Sequence, residues 1–237
     1  MISPALYLIP VPISDAPADH TIPAHVVEVS RGIRHFVVED LRTARRMLKR
    51  FDRDFPIGEC EFHELNVHTR IEDVPSLLAP LREGKPLGLM SEAGCPAVAD
   101  PGASLVAVAQ REGYRVCPLA GPSSILVSLM ASGFNGQGFA FNGYLPVETA
   151  AKVRKIRELE TLCGRTHQTQ IFIETPYRND KFLKLLADTL RPDTMLCLAA
   201  DISSPGNEMI ITRSAGEWKK SLPEIGKRPA IFLIHRL

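Results

Sequence analysis

No apolar run in this chain approaches the ~18 residues that span a bilayer, so no membrane-crossing helix is expected. No charged stretch at the N-terminus leads into a long apolar one, so no secretory leader is expected. No Cys-x-x-Cys occurs among the five cysteines, at 60, 95, 117, 163 and 197. Odd in number and scattered, they read as reduced thiols of a cytoplasmic protein, not as a disulfide framework. Charge of one sign is not in excess either: 28 Lys and Arg face 27 Asp and Glu, for a net +1. The whole molecule is therefore no strongly basic nucleic-acid binder, and any such contact has to come from local patches. Gly-x-Gly-x-x-Gly is missing after the first strand-like run, where the chain reads Ile9-Pro-Val-Pro-Ile-Ser14, and Gly-x-x-x-x-Gly-Lys-Ser/Thr is missing throughout. A dinucleotide-binding fold of the usual kind and a P-loop nucleotidase are both set aside. His63 and His68, with Glu61 and Glu64, lack His-Glu-x-x-His spacing, and a strand-to-loop location would separate the rings. No metal is expected, and no internal repeat or low-complexity segment is visible.

What is present is 237 residues at 45% hydrophobic content, enough to bury a core in one large or two small domains. In the first half, strand-like runs at Ala5–Pro10, His35–Val38, Glu61–Leu65, Pro86–Met90 and Tyr114–Cys117 alternate with helix-like runs. The helical patterns lie near Arg42–Phe51, Ile71–Arg82, Ala103–Glu112 and Ser123–Ala131. Such alternation implies a mainly parallel sheet covered by helices. Gly133-Phe-Asn-Gly-Gln-Gly138 is a glycine-rich connection and reads as the domain boundary. Beyond it, strands are predicted near Phe139–Gly143, Gln170–Glu174, Met195–Ala200, Glu208–Thr212 and Pro229–His235, with helices near Ala150–Leu162 and Asn179–Leu190. Little separates the last three strands, so the second sheet should be antiparallel or mixed. The expected fold class is α/β, with domains 1–119 and 120–237 and a linker region at about 118–138.

Two loops concentrate small residues at strand ends. Ser91-Glu-Ala-Gly-Cys-Pro-Ala-Val-Ala-Asp-Pro-Gly102 follows one strand, and Pro118-Leu-Ala-Gly-Pro-Ser-Ser124 follows the next. In α/β domains ligands sit beyond the carboxyl ends of the strands, where loops and helix N-termini offer free N–H groups. The first loop carries the carboxylates Glu92 and Asp100, although Asp100 equally suits a cap for the helix after Pro101.

The segment Arg42–Arg53 predicts an amphipathic helix. Arg42, Arg45, Arg46, Lys49, Arg50 and Arg53 fall on one face, and Leu41, Ala44, Met47, Leu48 and Phe51 on the other. Like charges at i,i+4 repel, so a purely basic face points to a polyanionic partner rather than to simple solvation. A second basic cluster, Lys152, Arg154, Lys155 and Arg157, opens the next long helix.

The paired loops resemble the Asp-Ala-Gly-Thr-Pro…Ser-Asp-Pro-Gly and Pro-Gly-Pro-Ser signatures of the tetrapyrrole-methylase-like S-adenosylmethionine methyltransferases. More narrowly, the chain is similar to the branch that methylates a cytidine 2′-hydroxyl in small-subunit ribosomal RNA. Further matching pieces are Leu6-Tyr-Leu-Ile-Pro-Val-Pro12, Glu39-Asp40 with Arg42, Ala131-Ser-Gly133, Phe141-Asn-Gly-Tyr-Leu-Pro146 and Ile171-Phe-Ile-Glu-Thr-Pro-Tyr-Arg178. The resemblance implies two α/β domains with S-adenosyl-L-methionine in the cleft between them, a homodimer, a cytoplasmic location, and ribosomal RNA or the small ribosomal subunit as partner. It places the cofactor on Ser91, Glu92, Ala93, Gly94 and Val98, and on Ala120, Gly121 and Ser123. In the second domain it adds Gly143, Tyr144, Leu145, Asp201 and Ala230. Ala93, Gly94, Ala120 and Gly121 would allow close backbone approach. The implied substrate contacts are Arg42, Arg45, Arg46 and Lys49, the loop histidine His68, and Lys152 with Arg154. The reaction would be in-line displacement at the sulfonium methyl, helped by holding the acceptor in place. A ribose hydroxyl is a weak nucleophile, and Asp40, Glu92 and Asp100 are the candidate bases.

The chain departs from the family pattern at Ile13-Ser-Asp-Ala-Pro-Ala-Asp19, at Glu-Asp-Leu-Arg in place of Glu-Asp-Thr-Arg, and at Glu-Ala-Gly-Cys in place of Asp-Ala-Gly-Thr. Two alternatives stay open at this point: methylation of a tetrapyrrole or other small metabolite, and a binding protein without turnover.

Overall fold

The computed structural model describes residues 2–236. The chain divides into two compact units, one ending at Ser123 and one beginning at Ser124.

The first unit carries an all-parallel five-stranded sheet in the order β3-β2-β4-β1-β5. Its strands are β1 (Leu6–Leu8), β2 (His35–Val38), β3 (Glu61–Glu64), β4 (Leu87–Met90) and β5 (Val116–Pro118). The central strand β4 is buried along its whole length, as a parallel strand covered on both faces must be. Helices α1 (Ala24–Arg31) and α2 (Leu41–Phe51) cover one face, where Val26, Val29, Ala44, Met47 and Leu48 pack with Phe36 and Val38. Short α3 (Ala79–Arg82) and α4 (Gly102–Arg111) cover the other, where Leu81, Leu105 and Ala109 pack with Leu6, Leu87 and Leu89. The connection after β1 thus leaves toward one face and the connection after β4 toward the other. These strands are neighbours, so the gap between their carboxyl ends is the topological switch point where such sheets hold ligands.

The second unit, with helix α5 (Ser124–Ser132) at its start, carries a mixed sheet in the order β6-β7-β10-β8-β9. Strands β6 (Phe139–Tyr144) and β7 (Thr169–Ile173) run parallel, bridged by α6 (Thr149–Thr166). Strands β8 (Met195–Ala200), β9 (Met209–Ser214) and β10 (Ala230–His235) complete it through antiparallel pairs. Helices α7 (Asn179–Thr189) and α8 (Ala215–Trp218) pack over a core that includes Phe172, Phe182, Trp218 and Phe232. Among the described residues no helix is long and apolar enough to cross a membrane.

Some expectations need correcting. The segment 71–82 is not one α-helix: Ile71–Leu78 is a 3₁₀ helix containing Pro75, and only Ala79–Arg82 is α. Proline lacks an amide and crowds the preceding turn, which disfavours regular α-helix over this segment. The glycines at 133–138 do not mark the division between units; they connect α5 to β6, and α5 packs on the second sheet through Ile125 and Leu129. Helix α1 went unpredicted because its Ala-His-Val-Val-Glu-Val-Ser-Arg sequence is short and rich in β-branched residues.

Gly88, in the middle of β4, has no room for a side chain. A Cβ there would lie 2.8 Å from Ile9 Cδ1 and 2.8 Å from Phe36 Cδ1. Gly88→Ala should lower the stability of the first unit by about 1–3 kcal/mol, as overpacked cores do. Urea unfolding followed by circular dichroism reads this directly, and an unchanged midpoint would contradict the packing described.

Candidate functional site

The segments leaving β1, β4 and β5 are laced together at the carboxyl edge of the parallel sheet. Val11 and Gly94 exchange amide-to-carbonyl bonds of 2.9 and 3.1 Å. The Leu119 amide donates to the Leu8 carbonyl at 3.1 Å. The Cys95 thiol donates to the Pro122 carbonyl at 3.3 Å, tying the first small-residue loop to the second. Gly94 is needed here because its φ is +74°, a conformation that side chains resist. Ala97 and Ala99 also sit at positive φ, of 65° and 62°. The Asp100 carboxylate stabilises that shape, accepting from the Ala97 amide with both oxygens (3.0 and 2.9 Å) and from the Gly102 amide at 2.7 Å.

Three carboxylates gather at the ends of β2 and β4. Glu39 continues the ladder through its amide to the Met90 carbonyl at 3.1 Å, and its Oε2 accepts from the Glu92 amide at 3.1 Å. Asp40 caps α2 by accepting from the Thr43 amide at 2.6 Å. That bond, the Thr43 hydroxyl and the nearby Arg42 and Arg46 hold its carboxyl below the usual aspartate range. Glu92 moves the other way. Partial desolvation, then the charges of Glu39 and Asp40, push its pKa up, with only Arg46 opposing. Asp100 is raised by burial, against the pull of its Gly102 and Ala97 amides. Of the three predicted bases, Asp40 and Asp100 therefore have structural partners on their oxygens, whereas Glu92, raised like Asp100, has no hydrogen bond on its carboxylate among the described residues.

The predicted cofactor residues fall into distinct groups. Glu92, Ala93, Val98 and Ala120 are exposed, whereas Ser91 is buried and turns its hydroxyl onto the Ala93 carbonyl. Gly121 needs to be glycine for a reason internal to the chain: a Cβ there would stand 2.2 Å from Pro10 Cβ. The close approach expected at Gly121 is thus to Pro10, and a side chain at 121 would displace the chain itself. Ser123 is half-buried at the end of the first unit. In the second unit Gly143 forms the irregularity in β6 at φ +61°, Tyr144 is exposed, and Leu145 joins the core. Ala230 pairs with Ala200, and Asp201, at φ +50°, has Arg228 Nε 3.8 Å from its Oδ2.

On α2, Arg42, Arg45, Arg46 and Lys49 are exposed, and the first three make no direct ion pair among the described residues. Lys49 donates to the Arg53 carbonyl at 2.9 Å. Arg50 belongs to the scaffold, since it donates to the carbonyls of Ser14 and Ala16 at 3.2 and 2.5 Å. His68 is exposed in the turn after β3, and Arg154 is exposed on α6. Lys152 corrects the expectation for the second basic cluster. It is only 7% exposed and donates to Glu174 at 2.5 Å, so it cannot reach RNA. Burial raises the Glu174 carboxyl, but Lys152, the Thr175 amide and Arg178 outweigh it and the net direction is down. Glu39 was legible only as half of the Glu39-Asp40 pair at a strand end; its grip on the Glu92 amide needed the β2–β4 pairing.

No family model matches the chain. It is 33% identical over 208 residues to "Ribosomal RNA small subunit methyltransferase I" of Mesorhizobium japonicum, across 88% of this chain and 67% of that protein. The protein of the same name from Vibrio cholerae is 30% identical over 85% of this chain and 66% of its own length. The chain thus spans about two thirds of the length of these curated relatives. Among solved structures, uroporphyrin-III C-methyl transferase from Thermus thermophilus, complexed with S-adenyl homocysteine, shares the fold at a TM-score of 0.56 and 17% identity, covering 98% of this chain and 97% of that one.

Breaking the buried pair in the second unit tests the correction at Lys152. Lys152→Met should destabilise by about 3 kcal/mol, because Glu174 keeps its charge and loses a partner. Adding Glu174→Leu should restore much of that loss in chemical denaturation. A wild-type midpoint for Lys152→Met would show that the pair is open to solvent.

Proposed function

Because the chain belongs to the ribosomal RNA small subunit methyltransferase I family, we propose that it transfers a methyl group from S-adenosylmethionine to small-subunit ribosomal RNA, with a ribose 2′-hydroxyl as acceptor. The observation that carries the RNA reading is the position of Arg42 and Arg46, which make no ion pair among the described residues. They lie close enough to the strand-end carboxylates to pull down Asp40, and Arg46 also opposes the shift of Glu92. A polyanion held by α2 would therefore pass beside the group best suited to take a proton.

The residues present fit a cationic cofactor. Glu39, Asp40 and Glu92 concentrate negative charge at the carboxyl ends of β2 and β4, beside the switch point, and the exposed Glu92–Ala93 segment leaves space for close contact. When bound, the cofactor supplies an electrophilic methyl group on sulfur. Everything else is done by the protein. Glu92 in its carboxylate form accepts the hydroxyl proton, and its raised pKa brings it nearer the operating pH, where a base works best. Arg46 opposes part of that upward shift. Arg42 and Arg46 orient the RNA backbone, which contributes through positioning. Asp40 fixes the start of α2 and so sets where those arginines stand.

Methyl transfer from labelled cofactor to deproteinised ribosomal RNA and to intact small subunits, after a calorimetric titration of the cofactor, tests the proposal. Glu92→Gln should lower kcat by about 100-fold or more. In the parent, kcat should rise with pH through a value above the ordinary glutamate range and then level off, and in the variant that step should vanish. Stability of the variant should hold or rise at neutral pH. A carboxyl whose folded pKa is raised opposes folding once it is ionised. Cofactor binding without transfer to either RNA substrate would turn the reading toward a small-molecule acceptor.

The protein is further proposed to be cytoplasmic and to act as a homodimer. All five cysteines are free, which suits a reducing compartment. Helix α5 leaves Leu126 and Met130, one turn apart, 50% and 81% exposed, an apolar pair suited to a second copy. Sedimentation should give about twice the chain mass of 26.1 kDa. A single monomeric species at micromolar concentration would rule out the dimer.

A further inference from the structure

The cations of α2 are not equivalent. Arg50 is fixed by main-chain carbonyls, Lys49 is tethered to the end of its own helix, and Arg42 and Arg46 stand beside the carboxylates. Arg45 differs from all of them. Its guanidinium carbon lies 5.3 Å from the centre of the Phe62 ring, on edge strand β3. Phe62 is stacked on Phe36 at 5.3 Å with the planes 18° apart, and Phe36 meets Phe55 edge-on at 6.3 Å. Phe36 and Phe55 are buried, so this column runs from the core to the surface and ends in an exposed guanidinium.

The carboxylates of β3 do not draw Arg45 away. Glu61 is within 3.1 Å of His35, and Glu64 accepts from the Leu41 amide at 3.4 Å. An arginine meant only to grip phosphate gains from free rotation of its side chain. One lying over a ring presents a flat, delocalised face with little left to immobilise. Unpaired nucleobases stack on such faces, whereas bases inside a duplex are not available to do so.

We propose that Arg45, held over Phe62, is a stacking platform for an unpaired base of the RNA substrate, while Arg42 and Arg46 contact phosphate. This rests on the reading of RNA as substrate. It identifies the bound RNA as single-stranded where it crosses β3, with one base placed against the guanidinium.

Lysine at position 45 separates the two roles, since it keeps the charge and removes the plane. Binding of a short unpaired oligoribonucleotide, and of the same strand in a duplex, is measured by fluorescence anisotropy over a salt series. Arg45→Lys should bind the unpaired strand about five- to twentyfold more weakly. Its log–log salt slope should match the parent's, because the charge is retained, and duplex binding should not change. Arg42→Gln should weaken both RNAs and reduce the slope by about 0.7 on the unpaired strand. Phe62→Leu should reproduce the Arg45→Lys loss, and the double variant should show no further loss. Should Phe62→Leu fail to fold, the surface variant Arg45→Lys still decides the matter. If Arg45→Lys binds the unpaired strand within about twofold of the parent while Arg42→Gln weakens binding, stacking is overturned and the RNA reading stands. A parent that binds neither RNA overturns both.

Discussion

The exchange of backbone hydrogen bonds between Val11 and Gly94 is the constraint on which the candidate site depends. Strands of a parallel sheet end with unsatisfied amides and carbonyls, and those at the carboxyl edge must find partners once the strands stop. Here the segments after β1 and β4 satisfy each other, and the segment after β5 joins them through the Leu119 amide and the Cys95 thiol. The loops consequently behave as an extension of the sheet. The positive φ values at Ala97 and Ala99 work against this arrangement by roughly 1 kcal/mol or more each. The Asp100 carboxylate offsets that strain by holding the Ala97 and Gly102 amides.

Electrostatics then follows from strand pairing. β2 and β4 lie side by side, so the residues after each strand end up together, and the Glu39–Glu92 contact is a direct result. Partial burial, and then the like charges of Glu39 and Asp40, raise Glu92, which among the described residues has no hydrogen-bond donor on its carboxylate. The first two turns of the helix that Asp40 caps deliver Arg42 and Arg46 to the neighbourhood. A single helix start therefore sets both the acidic and the basic side of the site.

Glu174 and Lys152 show the opposite solution. Both are buried, and each neutralises the other at 2.5 Å. At the ends of β2 and β4 Glu92 has no such partner among the described residues, and its raised pKa opposes folding while suiting it to move a proton. The contrast separates charges that belong to the scaffold from those available for chemistry.

Much of this was legible in the chain itself. The strand positions and the amphipathic character of α2 follow from hydrophobic periodicity, because burial selects the same side chains whatever the details of packing, while strand–helix alternation and the short connections late in the chain pointed to the parallel and the antiparallel or mixed sheets. The paired small-residue loops were legible for a similar reason: backbone that must approach closely or take positive φ favours glycine. What periodicity could not supply was the partner of each polar group. Whether Lys152 faced RNA or Glu174, whether Gly121 made room for a ligand or for Pro10, and whether Arg45 met a phosphate or Phe62 depended on segments distant in sequence. Those choices were made only by the tertiary structure, since hydrogen bonds and ring contacts act over a few ångströms and sequence spacing carries no such distances.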